Sequence, residues 1–169
     1  MAAAITITNY RDLGEKEKYA MTKMLDSIRK MIDSGKPFMP LAEHLGFRIK
    51  SVEFGQAVIE FEMKKHHANT MGTLHGGVLC TIADTAMGVV FASMLEEGES
   101  LTTLELKINF IRPVWKGKLL ALGKVVKKGR TTGLVECDIV DENEQLVARA
   151  SSTYMAISGD QTKNRTLPI

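Results

Sequence analysis

Hydrophobic positions repeat along this chain with two different periods. Across residues 10–34 the apolar side chains Leu13, Met21, Met24, Leu25, Ile28, Met31 and Ile32 recur at three- and four-residue steps, the spacing of one helical face. Gly35 and Pro37 supply stop signals. Lysines, arginines and acids mix on the opposite face, which suits a helix laid on a protein surface better than one on a membrane. Residues 40–45 fit a further short turn of helix. From Phe47 the period drops to two, predicting strands at 47–53 and 57–63 around Gly55. A polar loop over 64–74 follows, then an apolar segment over 75–95. After Gly98 the alternation returns and stays. Leu104, Leu106, Ile108 and Phe110 interleave with Glu105, Lys107 and Asn109, placing Thr103 on the polar face, and Pro113 closes the run. Further strands are predicted at 119–127, 131–140 and 145–157, with turns at Lys128-Gly129-Arg130 and over 141–144.

No alternation of strand, helix and strand appears, so the sheet is expected to be antiparallel and the class α+β. The segment 75–95 is apolar or small on every side, which normally means burial all round. The sheet must then curl around this long central helix. Any face it leaves open needs a second subunit or the N-terminal helix. The expected organisation is an N-terminal helical extension over 1–39, one domain over 40–157 and a polar C-terminal tail over 158–169.

One charge interrupts the apolar helix: Asp84. An ionised carboxylate in such a place is costly unless compensated, and a site that needs a base is one reason to keep it. Its bland alternative is a carboxylate satisfied by backbone or by Ser and Thr hydroxyls. The glycine pair Gly76-Gly77 at the front tips the reading towards function, because amides at a helix start have no partner within the helix.

Composition narrows the partners. A chain of 169 residues is most simply one domain, and 44% hydrophobic with 25% charged residues is ordinary for a globular protein. The formal net charge of +2 is too small to propose nucleic acid as a partner. No apolar run reaches the length of a membrane span, and the first ten residues lack the build of a secretory leader. Cys80 and Cys137 both lie in apolar runs and are read as small buried hydrophobes in a reducing compartment, which points to the cytoplasm. Neither has a ligand at zinc-finger spacing, and His66 and His67 face different ways, so no metal site is expected. Lys127, Lys128 and Arg130 form the one tight basic cluster, either a solvated hairpin end or a seat for a phosphate-bearing ligand.

Eight residues separate Gly76 from Asp84, about 12 Å along a helix axis. An amide polarising a carbonyl must lie within about 3 Å of it, and a base activating water must be similarly close to the attacking atom. One helix cannot do both at one reacting carbon. If the two serve the same chemistry, they come from different chains, with helices antiparallel across a two-fold axis. Nearby, Asn69 is a candidate to orient substrate or water, or is a turn former. Thr103 is a candidate to hold a nucleophilic water, or is a strand-propensity choice.

The run Asn69-Thr-Met-Gly-Thr-Leu-His75-Gly76-Gly77-Val-Leu-Cys80-Thr-Ile-Ala-Asp84-Thr-Ala-Met-Gly resembles the signature of the hotdog-fold acyl-CoA thioesterases, specifically the phenylacetate-pathway (PaaI-like) branch. The resemblance extends from about Leu45 to Ile157 and includes the strand end Asn109-Phe-Ile-Arg-Pro113 and the Lys128-Gly129-Arg130 turn. It implies a hotdog fold, an antiparallel β-sheet curled around a long central helix, here with an extra N-terminal helix. It implies hydrolysis of an acyl-CoA to free acid and CoA. The amide of Gly76 would hold the thioester carbonyl, and Asp84 of the partner subunit would act as general base or nucleophile. Asn69 would help place the substrate and Thr103 would hold the water. His75 and Gly77 join the substrate-binding set, and Lys127, Lys128 and Arg130 are the local cations for CoA phosphates. The resemblance further implies a homodimer or a dimer of dimers, and no cofactor beyond the CoA of the substrate. Two readings stand beside it. A hotdog dehydratase or hydratase would carry a His-Phe-Pro-Gly type of motif, absent here. A non-catalytic acyl-CoA-binding hotdog protein would not need Asp84.

Overall fold

The computed structural model describes residues 15–162. The first helix, α1 (Glu15–Asp33), ends as its glycine and proline signals predict, and the start of the expected 10–34 helix lies outside the described residues. Leu25 and Ile28 of its apolar stripe are buried against β1 (Phe47–Glu53). Ion pairs from Arg29 to Glu53 (2.6 Å) and from Lys23 to Glu97 (2.9 Å) flank that contact. Both are exposed, so the apolar stripe carries the docking. The short α2 (Pro40–Leu45) leads into β1.

Five further strands follow: β2 (Gln56–Met63), β3 (Ser100–Phe110), β4 (Gly117–Lys128), β5 (Thr132–Asp141) and β6 (Leu146–Ile157). They form one six-stranded sheet in the order β1-β2-β4-β5-β6-β3, antiparallel throughout. Between β2 and β3 runs α3 (Gly76–Ala92), lying in the sheet's concave side. This is the expected hotdog architecture with an extra N-terminal helix. The predicted tail over 158–169 opens with a single 3-10 turn, Gly159–Thr162, and its remainder lies outside the described residues.

Two glycines let the sheet close on α3. A Cβ on Gly123 of β4 would lie 2.7 Å from Val90 Cγ2 and 3.1 Å from the Ala86 carbonyl oxygen. A Cβ on Gly133 of β5 would lie 2.6 Å from the Phe91 ring. Both contacts are closer than carbon atoms tolerate, so only glycine permits this approach.

The expectation that α3 is buried all round needs correction. Leu79, Ile82, Ala83, Ala86, Met87, Val90 and Phe91 are buried against the sheet. Cys80, Thr81, Asp84, Thr85 and Gly88 stay half-open, Asp84 and Gly88 at the margin where the helix meets Tyr154 of the sheet. The reason is geometric: six strands cover one side of the helix, while α1 docks out at β1.

β3 also departs from its predicted phase. Its pairing with β6 shifts between Thr103 and Glu105: Thr103 faces Tyr154, and Glu105 faces Thr153. Leu104 is the extra residue of a β-bulge, and the Ser152 hydroxyl donates to the Glu105 carbonyl beside it. Strict alternation would point Leu104 towards the core and Thr103 away from it. Instead Leu104 is 53% exposed, and Thr103, itself exposed, donates to Asp84 on α3.

Candidate functional site

The loop before α3 is built by Asn69. Its side-chain oxygen accepts the amides of Met71 (2.9 Å) and Thr73 (3.2 Å), and its side-chain nitrogen donates to Thr73 Oγ1 (2.9 Å). These bonds are those of a turn former, and they leave Asn69 little capacity for another partner. Main-chain bonds from Leu74 to the Val114 carbonyl (2.7 Å) and from His75 to the His67 carbonyl (2.9 Å) hold the loop's end in place. His67 is buried; desolvation, helped by neighbouring His66 and Lys64, lowers its pKa, and its Nδ1 accepts the Lys64 amide at 3.0 Å.

His75 caps α3, its Nδ1 accepting the Gly77 amide at 2.9 Å. That satisfies one of the two glycine amides. The Gly76 amide has no acceptor among the described residues, so it is the donor left available at this helix start. The Phe110 ring, at the far end of β3, stands over Gly76: a Cβ there would lie 3.1 Å from Phe110 Cζ. Gly76 thus combines an amide without an acceptor among the described residues with an aromatic ring packed directly over it.

Two turns further along the open side of α3 sits Asp84. Its Oδ1 accepts from Thr103 Oγ1 at 3.0 Å and from the Tyr154 hydroxyl at 2.7 Å. The same hydroxyl lies 2.8 Å from the Asp84 main-chain oxygen. Tyr154 is fully buried, its ring stacked on Phe91 with centroids 5.5 Å apart. Burial, and then the charge of Asp84, push its phenol well above the ordinary tyrosine range, so it remains a protonated donor. Tyr154 was absent from the residues singled out in sequence. A signal for it exists, since it is the one large polar side chain on the inward face Ala148, Ala150, Ser152, Tyr154 of β6, and a buried phenol needs a partner.

The predicted residues therefore fall into three groups. Asn69, His75, Gly76 and Gly77 lie at the start of α3, and Asp84 and Thr103 meet two turns on. Lys127, Lys128 and Arg130 lie at the β4–β5 hairpin. Lys128 pairs with Gly133, which pairs with Tyr154, which pairs with Thr103. That single row across the sheet puts the cationic hairpin level with Asp84, about 14 Å from Thr103 at the ordinary strand spacing. Cys80 lies between Gly76 and Asp84 on the helix, and burial raises its thiol pKa. A carboxylate pinned by two hydroxyls can take a proton from a water or attack a carbonyl, and a bare helix-start amide can hold a developing oxyanion.

The chain is similar to known thioesterases in sequence and in fold. A family model described as the thioesterase superfamily matches residues 71–148, which run from the Asn69 loop through Asp84 into β6. The chain is 32% identical over 115 residues to the 1,4-dihydroxy-2-naphthoyl-CoA hydrolase of Listeria monocytogenes, covering 68% of this chain and 94% of that one. It is 25% identical over 136 residues to acyl-coenzyme A thioesterase 13 of Homo sapiens, covering 79% and 96% of the two chains. Among solved structures, the PaaI protein from the phenylacetic acid degradation operon of E. coli superposes with a TM-score of 0.72 at 26% identity, covering 80% of this chain and 97% of that one. With that fold and these relatives, the chain belongs to the thioesterase superfamily, as a thioester hydrolase on the hotdog fold.

Proposed function

We propose that this protein hydrolyses an acyl-CoA thioester to a free carboxylic acid and CoA, in a site shared by two copies of the chain. The observation that carries this reading is the pairing of an acceptor-free Gly76 amide with a hydroxyl-pinned Asp84 on one open helix side, too far apart to act together within a protomer. Antiparallel approach of two such helices would bring the Gly76 amide of one chain to the Asp84 carboxylate of the other and make two equivalent sites. The open edge of β3, with Leu104, Phe110, Ile111 and Trp115 exposed on or beyond it, supports a subunit contact on this side. Whether the dimer pairs again into a tetramer is a matter for the outer face of the sheet, where Leu122, Val126 and Leu134 are exposed.

The thioester carbonyl lies on the Gly76 amide, and Asp84 activates a water held by Thr103. The Thr103 proton is donated to Asp84, so towards that water the hydroxyl oxygen is an acceptor. The water oxygen bonds to the carbonyl carbon as its proton passes to Asp84 and the carbonyl electrons move onto oxygen. Collapse breaks the carbon–sulfur bond, and the proton on Asp84 passes to the departing CoA sulfur. In the alternative route the carboxylate itself attacks, and the carbon–sulfur bond breaks to expel CoA as thiolate. Water opens the mixed anhydride to the free acid and Asp84, whose proton then passes to the thiolate. His75 and Gly77 shape the helix start against which the thioester rests. Lys127, Lys128 and Arg130 serve the CoA phosphates, and Asn69 acts by holding the loop rather than by touching the substrate. This chemistry calls for no metal or cofactor. A reducing cytoplasm suits the two free thiols, and no helix among the described residues is long and apolar enough to cross a membrane.

A panel of acyl-CoAs read by thiol release tests the proposal on the wild type and on Asp84→Asn. Loss of the base should cost about 10²–10⁴-fold in kcat, with the oligomer intact by light scattering. Full hydrolysis by Asp84→Ala, or binding of CoA esters without turnover by the wild type, overturns it.

A further inference from the structure

We propose that Tyr154 is a positioning residue for hydrolysis, holding the Asp84 carboxylate through Oδ1 so that Oδ2 is the oxygen that reacts. This inference rests on the reading of Asp84 as base or nucleophile and specifies which of its atoms acts.

Two donors converge on one oxygen. Tyr154 reaches Oδ1 at 2.7 Å from β6, and Thr103 reaches it at 3.0 Å from the bulged segment of β3. Both come from the sheet, so Oδ1 is turned to the sheet and Oδ2 is the carboxylate's other corner. Among the described residues nothing donates to Oδ2. The phenol's alternative acceptor, the Asp84 main-chain oxygen at 2.8 Å, already takes the helix amide four residues on. A carboxylate oxygen is the stronger acceptor of the two because it is charged.

The pinning has a kinetic consequence. The terminal torsion of an aspartate is soft and roughly two-fold, so an untethered carboxylate turns and exchanges its oxygens. Anchoring Oδ1 at a rigid, fully buried ring leaves Oδ2 in one direction with its lone pairs unoccupied. In the general-base route the water proton goes to Oδ2 as the water oxygen bonds to the carbonyl carbon. It leaves Oδ2 for the CoA sulfur when the carbon–sulfur bond breaks. Preorganisation of this kind acts on the chemical step and not on substrate affinity.

Tyr154→Phe keeps the ring and its stack on Phe91 and removes only the hydroxyl. With an acyl-CoA that the wild type hydrolyses, kcat should fall about ten- to hundredfold, as for loss of a hydrogen bond to a charge, with KM unchanged. In an Asp84→Ala background the same substitution should change the residual rate by less than about twofold, because its partner is gone. A purely structural role would instead lower both rates alike. A second measurement needs no Tyr154 variant: the phenolic proton should resonate far downfield in the proton spectrum of the wild type and move upfield in Asp84→Asn. Wild-type kcat in Tyr154→Phe, an equal loss in both backgrounds, or a phenolic resonance indifferent to Asp84→Asn overturns the inference. If Asp84→Asn is inactive while Tyr154→Phe is fully active, only the role of Tyr154 fails. If Asp84→Asn is itself fully active, the underlying reading of Asp84 fails with it.

Discussion

Mixing two inactive variants should restore activity, by an amount that the geometry of α3 sets. One variant is Asp84→Asn, which loses the base. The other is Gly76→Pro, which deletes the amide donor at the helix start and little else. Gly76 is the first residue of α3, where proline's missing N–H and fixed φ are tolerated. Its amide has no acceptor among the described residues, so no internal hydrogen bond is lost. His75 before it already has φ −65 and ψ 131, the extended conformation that a following proline requires. The cap from Gly77 to His75 Nδ1 stays in place. The Phe110 ring 3.1 Å from the position of a Cβ must swing aside, and it is exposed enough to do so.

Each variant alone should be crippled, by about 10²–10⁴-fold for the base and about 10²–10³-fold for the oxyanion donor. If each site draws Asp84 from one chain and Gly76 from the other, a mixed dimer holds one site with both defects and one with neither. Random exchange at equal concentrations makes half the dimers mixed, so about a quarter of all sites are intact by two-fold symmetry. Thiol release from an acyl-CoA should then return to about a quarter of the wild-type rate after co-refolding or dissociation and reassociation. Without exchange the mixture should stay at the average of its parents. Were both groups to serve a site within one protomer, no mixture could regenerate an intact site. Recovery absent after proven subunit exchange therefore refutes the two-chain site, whatever the individual losses.

Three further outcomes test separate parts of the structure. Cys80 lies midway between Gly76 and Asp84, so the same two-fold operator brings it onto its counterpart; mild oxidation at alkaline pH, or a short bismaleimide, should give a covalent dimer that Cys80→Ala abolishes and Cys137→Ala leaves unchanged, Cys137 being buried with its thiol pushed up to about 12 by burial. A dimer without that cross-link counts against antiparallel helices. His67 is held below its ordinary value of 6.5 by burial, so the unfolded chain binds more protons than the folded one in the window just below 6.5, and melting temperature should fall as pH drops through it. His67→Asn, which keeps an acceptor for the Lys64 amide, should flatten that slope, and an unchanged slope would assign it to other groups. Gly133→Ala should cost about 1–3 kcal/mol by overpacking against the Phe91 ring, lowering the melting temperature by about 2–4 °C per kcal/mol; an unchanged melting curve would mean the sheet is not pressed onto α3 there.

Local patterns carried much of this fold, and where they did not, a long-range pairing decided the outcome. The strands around Gly55, the hairpin at Lys128 and the ends of β5 and β6 follow from alternation and turn chemistry, which are local properties of the chain. Asp84 and Gly76 stood out for the same reason, a charge inside an apolar run and bare amides at a helix start. The phase of β3 could not be read that way. A period-two template assumes an unbroken ladder, and by that rule Leu104 points in and Thr103 points out. The break at Leu104 belongs to the pairing with β6, where Ser152, 47 residues away, captures the Glu105 carbonyl. That one extra residue reverses the faces upstream of it, and only by that reversal does Thr103 arrive at Asp84 Oδ1 beside the Tyr154 hydroxyl. Asn69 shows the converse. Its place in a motif suggested a substrate contact, yet a short polar side chain in a tight loop finds its own backbone first, and the bonds to Met71 and Thr73 occupy it. The open side of α3 is the third case. The run as a whole reads as full burial within one chain, but its half-open residues Cys80, Thr81, Thr85 and Gly88 are small, and small residues equally suit close approach of a second helix. Deleting Leu104 should accordingly give a regular ladder that keeps Thr103 opposite Tyr154 and Glu105 opposite Thr153. Asp84 then retains both donors, and thiol release from an acyl-CoA should continue; its loss in a folded variant would show that the bulge itself is needed.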